Sequence, residues 1–412
     1  MFKEKNLGKQ LMIGLFIVLF LTLFVLSGIL VQAKEAVTLT LIHPWSGAEW
    51  DQFEPVVKEA ETALGITIEV RAIRSEDLVT LLPTQWPAGT APGDVIFLTV
   101  PSLILKGAKE GHIMDVTELV NPADFVPASV GYVTTEDGKI FAAPFCEGVK
   151  PGFWYRKSFF QKNGLNEPTN WTEFIALLEK IKGLPGIKAA IGSGNGTGWP
   201  LSDITEHFLV AFGGPQLLNE LASGNCPPET WYVVEAIFKG WLAKLIGDGY
   251  FSEPIEWTTA QEMWWNGDFG LFFMGNWLTA MVDDPSDLGI FPIPGTKGIT
   301  GCIDFLTASA YTKHPEETKE LLKWLATEGQ KVRAKQGGTV ATYRSVPLEL
   351  YPPAEKMLAA KTSEMEPLFD LDDAIGGEFQ TTFWDQLKLL WVKPEKVDDV
   401  LEVIHNAYLE AF

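Results

Sequence analysis

Short apolar runs rich in β-branched residues alternate along this chain with stretches whose apolar positions recur every three or four residues. VTLTLI (37–42), GITIEV (65–70) and DVIFLTV (94–100) read as strands. Between the first two, Trp50, Phe53, Val57, Ala60 and Leu64 fall on one face of a helix. Ser46 and Glu49 form an S-x-x-E capping box that predicts its start, and Gly65 predicts its end. Residues 139–181 predict a strand, a passage broken by Pro and Gly, a second strand, and a helix capped by Asn170 with Glu173. KAAIGSGNGTGWPLSDITEHFLVAFGG (188–214) runs from a strand through a glycine-rich loop into a helix. FGLFFMGNWLTAMV (269–282) reads as a buried strand entering a helix, and GIFPIPG (289–295) as another strand. CIDFLTASAYTKH (302–314) leads into a helix stopped at Gly337, and the C-terminus is helical. This alternation predicts an α/β fold with a mostly parallel sheet covered by helices.

With 412 residues, two domains are expected rather than one core. The formal net charge is −21, which disfavours tracking a phosphate backbone, so no nucleic-acid partner is expected. Lys3, Lys5 and Lys9 precede the unbroken apolar run 11–26, and Ser27, Gly28 and Val31-Gln32-Ala33 follow. Residues 1–33 therefore read as a signal peptide or as an N-terminal membrane anchor spanning 11–31. Either way residues 34–412 are secreted or extracytoplasmic, in a periplasm or at a cell surface. No second long apolar run follows.

The chemistry is defined as much by what is missing. Cys146, Cys226 and Cys302 have neither a disulfide-framework pattern nor zinc spacing, and the five histidines are scattered. There is no G-x-S-x-G elbow and no P-loop, and GSGNGTG (192–198) lacks the P-loop lysine. DLDDAIGGE (370–378) does not fit the EF-hand spacing. No catalytic residue, metal or cofactor is expected. What remains is 15 tryptophans, many carboxylates and glycine-rich loops at strand ends. That inventory suits sugars, whose apolar ring faces stack on aromatics while their hydroxyls bond to carboxylates and amides. Trp324 in KELLKWL reads as core. HPWSGAEW (43–50) lies where a ligand of an open α/β sheet would sit, beyond the carboxyl end of the first strand.

An ordered series of motifs resembles the extracellular sugar-binding proteins of ABC importers, of the maltose- and trehalose-binding type. GDVIFLTV, GKIFAAPF, WYRKSFFQKNGL, EPTNWTEF, GWPLSDITEHFLVAFGG, FFMGNWLTAMV, FPIPG, YTKHPEETKELLKWLATEGQ and KPEKVDDVLEVIHNAY follow one another over nearly all of 35–412. The resemblance implies a periplasmic-binding-protein-like fold, with two α/β lobes, a hinge and an interlobe cleft. Lobe I would comprise 34–146 plus 303–343, and lobe II 147–302 plus 344–412. The crossings would fall near Pro144–Gly148, Gly301–Asp304 and Thr342–Val346. Cys146 and Cys302 would then form a hinge thiol pair, bridged if their Cα atoms stand within about 7 Å.

Among ligand contacts, Trp277 in MGNW matches the family's stacking aromatic. Trp199, Asn195 and Thr197 match the second-lobe approach to the sugar, and Glu147 a hinge-side carboxylate. Trp45, Ser46 and Glu49 match the first-strand loop, and Asp304 and Trp384 further contacts. The resemblance implies a monomer without enzymatic activity that captures a mono- or oligosaccharide and passes it to membrane permease subunits. Leu98–Pro101 and GTVATYRS (338–345) depart from related maltose binders, which leaves the sugar open. A non-sugar solute on the same fold, a secreted glycosidase and a membrane-bound sensor subunit are the other readings.

Overall fold

The computed structural model describes residues 37–126, 129–195, 198–362 and 364–412. The leader call on 1–33 and the site call on Thr197 lie outside them. The three N-terminal apolar runs form strands β1 (Thr38–His43), β2 (Thr67–Ala72) and β3 (Val95–Leu98). Both β2 and β3 pair with β1 in parallel. Helix α1 (Ala48–Leu64) makes the first crossover, burying Phe53, Val56, Val57 and Ala60 against the sheet side. It ends as predicted at Gly65, whose N–H donates to the Glu61 carbonyl. The predicted capping box forms only in part, without its serine side-chain bond. The N-cap is Gly47 with no side-chain bond, and Ser46 takes part through its backbone alone: its carbonyl accepts from Glu49 N–H at 3.2 Å and its N–H holds the Glu49 carboxyl. The Glu49 side chain also lines the interlobe cavity.

The sheet is mixed rather than mostly parallel. Two longer strands, β4 (Ala143–Lys150) and β11 (Gly298–Ala308), pair antiparallel, and β11 also runs antiparallel to β3. The order is β12 (Val340–Ala341), β4, β11, β3, β1, β2, with β13 (Glu366–Phe369) parallel beside the first residues of β11. A second sheet contains β5 (Phe153–Arg156), β6 (Ala189–Gly192), β9 (Phe269–Phe273) and β10 (Leu288–Phe291), in the order β10, β5, β9, β6. Short strands β7 (Gly194–Asn195) and β8 (Ile255–Glu256) pair beside it.

Each sheet has its own core, so the chain folds as two lobes. Leu39, Phe53, Phe97, Phe145, Phe305 and Leu322 are buried in the first. Phe153, Phe174, Phe208, Phe383, Leu387 and Trp391 are buried in the second. A third cluster, around Trp154, Trp264, Phe272 and Leu278, adjoins the cleft. Each fully buried Phe or Leu contributes about 1.5–3 kcal/mol relative to exposure. Trp324 packs half-buried against the first core, as expected.

Helix α2 (Trp171–Lys182) is capped by Asn170, whose side chain accepts from Glu173 N–H at 3.0 Å. Helix α3 (Trp199–Gly213) is buried from Pro200 to Val210 at the centre of lobe II. Helix α4 (Trp257–Asn266) follows β8. FGLFFMGNWLTAMV forms β9 and then only a 3₁₀ turn, Asn276–Ala280. The helix expected to reach Gly337 is α5 (Pro315–Trp324), a π turn and α6 (Gln330–Ala334), ending three residues early. The C-terminal helices are α7 (Leu371–Ile375), α8 (Gly377–Val392) and α9 (Val397–Ala411).

The hinge thiols do not pair. Both cysteines are free, and in the antiparallel register Cys302 lies opposite Gly148 while Cys146 lies opposite Asp304. The offset leaves them diagonal neighbours, about 7–8 Å apart at their Cα atoms in such a ladder, which is too far for a bridge without backbone movement.

Candidate functional site

Between the lobes lies a cavity of about 200 Å³ whose lining comes from both. From lobe I, the end of β1 and the first turn of α1 supply Trp45, Ser46 and Glu49. Trp45 leans on the lobe I core, its ring 4.4 Å from Phe53 and 4.8 Å from Phe97, and is half-buried. The next loop brings Arg74 and Glu76.

The lobe II wall is aromatic. Trp199 starts α3, Trp257 starts α4, and Trp277 opens the turn after β9. The Trp199 ring stands 5.6 Å from Trp257 and 5.8 Å from Trp277, edge-on to each. Two glycines make room. A Cβ at Gly275 would fall 2.0 Å from Trp277 Cζ3. Gly198 has φ +125°, and a Cβ there would meet the Trp384 Cβ at 2.4 Å.

The floor is built from the hinge strands. Side chains alternate across a strand, so Cys146, Gly148 and Lys150 of β4 face the cavity. Glu147 lies on the other face and does not line it. Burial, reinforced by the Asp370 charge, pushes the Glu147 carboxyl up to about 7. Cys302 and Asp304 of β11 line the cavity beside Cys146. Burial drives the Cys146 thiol up to about 12 and Cys302 well above its ordinary range.

Lys150 is the centre of a buried ionic group. Its Nζ lies 3.0 Å from Asp203 Oδ1 of α3 and also donates to Asp370 Oδ2, just after β13. Burial alone would lower its pKa, but Asp203 and Asp370 outweigh that and hold the ammonium well above its usual range. Asp203 is pushed up to about 8 and Asp370 to about 6, chiefly by burial and against the pull of Lys150. Glu206, one turn beyond Asp203, accepts from Leu371 N–H at 2.9 Å and fixes the start of α7. Trp384 Nε1 donates to Asp372 Oδ2, and Gln380 Nε2 donates to Asp373 Oδ1 at 2.7 Å. Asp203 Oδ2, Asp370 Oδ1 and Gln380 Oε1 are buried with no donor. The ligating atoms of Cys302, Asp370 and Asp373 lie within 4.8 Å of one another.

At the lobe I end, burial pushes Glu49 and Asp304 up to about 7 against the charge of Arg333. Arg333 in turn donates to the Gly337 carbonyl. Seven carboxylates line the cavity (Glu49, Glu76, Asp203, Asp304, Asp370, Asp372, Asp373) against three cations, Arg74, Lys150 and Arg333.

The structure thus gathers Trp45, Ser46, Glu49, Trp199, Trp277, Asp304 and Trp384, with Cys146 and Cys302, around one cavity. It leaves Glu147 and Asn195 out of the lining; the Asn195 side-chain oxygen is buried without a partner in β7. Sequence reasoning missed Trp257, Arg74, Lys150, Asp203, Arg333, the Asp370–Asp373 segment and Gln380. Asp203 carried a usable signal, four residues after Trp199 and so on the same helical face. Lys150 carried another, in step with Cys146 and Gly148 along one strand.

The profile described as bacterial extracellular solute-binding protein matches residues 47–332. The chain belongs to this family. An uncharacterized ABC transporter extracellular-binding protein of Pyrococcus horikoshii is 47% identical over 379 residues, covering 92% of this chain and 90% of that protein. The osmoprotective compounds-binding protein GgtB of a Synechocystis strain is 24% identical, covering 84% of this chain and 86% of that one. Among solved structures, a chitin oligosaccharide binding protein superposes with a TM-score of 0.76 at 22% identity, covering 91% of this chain and 100% of the other. Maltose-bound MalE3 of T. maritima superposes with a TM-score of 0.74 at 20% identity, covering 92% and 100%. For this extracellular solute-binding protein the interlobe cavity is therefore the place to look for the solute. Among the described residues no helix is long and apolar enough to cross a membrane.

Proposed function

We propose that the protein captures a carbohydrate, a mono- or oligosaccharide, between its lobes and delivers it to the permease of an ABC importer. The observation that carries this reading is the pairing of an aromatic wall, Trp199, Trp257 and Trp277, with a floor rich in acceptors, all in one interlobe cavity. Sugar rings need the first for their faces and the second for their hydroxyls. A solute touching both lobes binds the closed state better than the open one and shifts the population toward it. The receptor acts as a monomer and makes or breaks no bond. Its lobes are 34–146 plus 303–343 and 147–302 plus 344–412, and residues 11–31 either leave with the signal peptide or tether the receptor to the membrane.

Calorimetry of residues 34–412 against a saccharide panel, with tryptophan fluorescence in parallel, tests this. The expected result is saturable 1:1 binding with the sugar recovered intact. Absence of binding across the panel would point to a non-sugar solute. Consumption of the sugar would make the protein a glycosidase.

A further inference from the structure

The floor of the cleft asks for a donor that carries positive charge. Every cation lining the cavity already has a protein partner. Lys150 lies between Asp203 and Asp370, Arg74 is 3.8 Å from Glu76, and Arg333 faces Glu49 and Asp304. Carboxyl groups outnumber cations along the lining, and burial holds Glu49, Asp203, Asp304 and Asp373 toward their protonated forms. Three acceptors stay without a donor on cavity-lining residues that are 1–2% exposed: Asp203 Oδ2, Asp370 Oδ1 and Gln380 Oε1. The Gln380 oxygen is fixed in place because its amide nitrogen is held by Asp373. A buried acceptor left empty is costly, so what fills it must donate.

We propose that the solute is an amino sugar whose protonated amine seats on the cleft floor against Asp370, Asp373 and Gln380. This rests on the carbohydrate reading above and narrows it. An ammonium giving hydrogen bonds of about 2.8 Å at tetrahedral angles places its acceptors roughly 4.6 Å apart. The ligating atoms of Asp370, Asp373 and Cys302 stand no more than 4.8 Å from one another, close enough for one ammonium to reach more than one of them. A metal ion suits the floor less well. Calcium takes six to eight oxygens, and zinc bound through Cys302 needs a thiolate. Either would also share Asp370 with the Lys150 ammonium. A neutral sugar can fill the acceptors with hydroxyls but gives the Asp370 and Asp373 carboxyls no positive charge to ionise against.

The test is calorimetry at pH 6 with matched mono- and disaccharides that differ only in bearing a free amine, an N-acetyl group or a hydroxyl at one carbon. The free-amine member of each binding set is expected to bind at least about tenfold tighter than its partners. That ratio should shrink as salt rises. Asp373→Asn, which leaves the Lys150 pair intact, should bring the ratio toward one. Circular dichroism identifies a misfolded variant, in which case Gln380→Leu supplies the same comparison. Neutral members binding as tightly as amines would overturn the amine assignment and leave the carbohydrate reading standing. No binding by any member would remove both. Calcium or zinc alone raising the melting temperature, reversed by a chelator, would assign the floor to a metal instead.

Discussion

Trp277 shows how one side chain is positioned for a ligand. It sits half-buried over Gly148 and beside Gly275, with the Trp199 ring at its edge. The proposed sugar would stack on its free face. Replacing it by Ala removes that face, so Trp277→Ala should weaken saccharide binding about tenfold or more and abolish the fluorescence change. Titration of the variant by fluorescence and calorimetry checks this; unchanged affinity would move the stacking surface to Trp257 or Trp45. The cysteines make a second expectation at this scale. Cys146 is buried and Cys302 is pushed toward the protonated thiol further than Cys226, so of the three only half-buried Cys226 should react in the native state. Alkylation followed by intact-mass analysis should show one native label at most and three after unfolding. A persistent loss of two labels under non-reducing conditions would mean that a bridge forms after all.

At the scale of elements, helix α3 joins the site to the lobe II core. Its His207 accepts a hydrogen bond from Ile293 N–H at 3.0 Å and is buried, which holds its pKa down at about 3. The folded pKa lies below the unfolded value, so the unfolded chain binds the extra proton. Stability from this group is therefore complete above pH 6.5 and declines as pH falls through that value. At pH 5 the loss is about 2 kcal/mol. His207→Gln should lower stability at pH 7 and flatten the acid side of the stability curve relative to the natural chain. Denaturant titrations at pH 5 and 7 read both, and parallel curves for the two proteins would exclude this role for His207. Elements such as α1, α2 and β1 to β3 were legible because their apolar period is local. The antiparallel pairing of β4 with β11 was not, since about 150 residues separate the partners and nothing in either strand states its neighbour. The capping box was misread in part for a related reason: Ser46 and Glu49 fit a local rule, but Glu49 is also claimed by a cavity that only tertiary packing creates. The aromatics of the site stood out by side-chain type. Lys150, Asp203 and Asp370 did not, because each alone resembles an ordinary surface charge until the fold buries all three together.

For the molecule as a whole, the decisive question is what the cleft chemistry does to the balance between open and closed forms. The lobes touch in this structure. Gln52 of α1 donates to the Ala280 carbonyl across the cleft, and a Cβ at Gly338 would come within 2.9 Å of Ala280. Closure therefore shields the cleft-lining Glu49 and Asp304 of lobe I from water. In this form both carboxyls, Glu49 and Asp304, are held up at about 7. Opening the cleft returns water to them and restores values nearer 4. The closed form then binds more protons than the open form between roughly pH 4 and 7. Lowering the pH in that window should favour closure of the ligand-free protein, even though acid strains buried His207 within lobe II. The radius of gyration from small-angle scattering should fall between pH 8 and pH 5.5 without ligand. It should fall less in Asp304→Asn, which carries one proton-binding group fewer at the interface. Saturating saccharide should give the compact value at both pH values, because the solute supplies the missing donors. A ligand-free radius that stays constant or grows on acidification would show that these carboxyls are equally shielded in both forms, and that closure is governed by the aromatic wall and the solute alone.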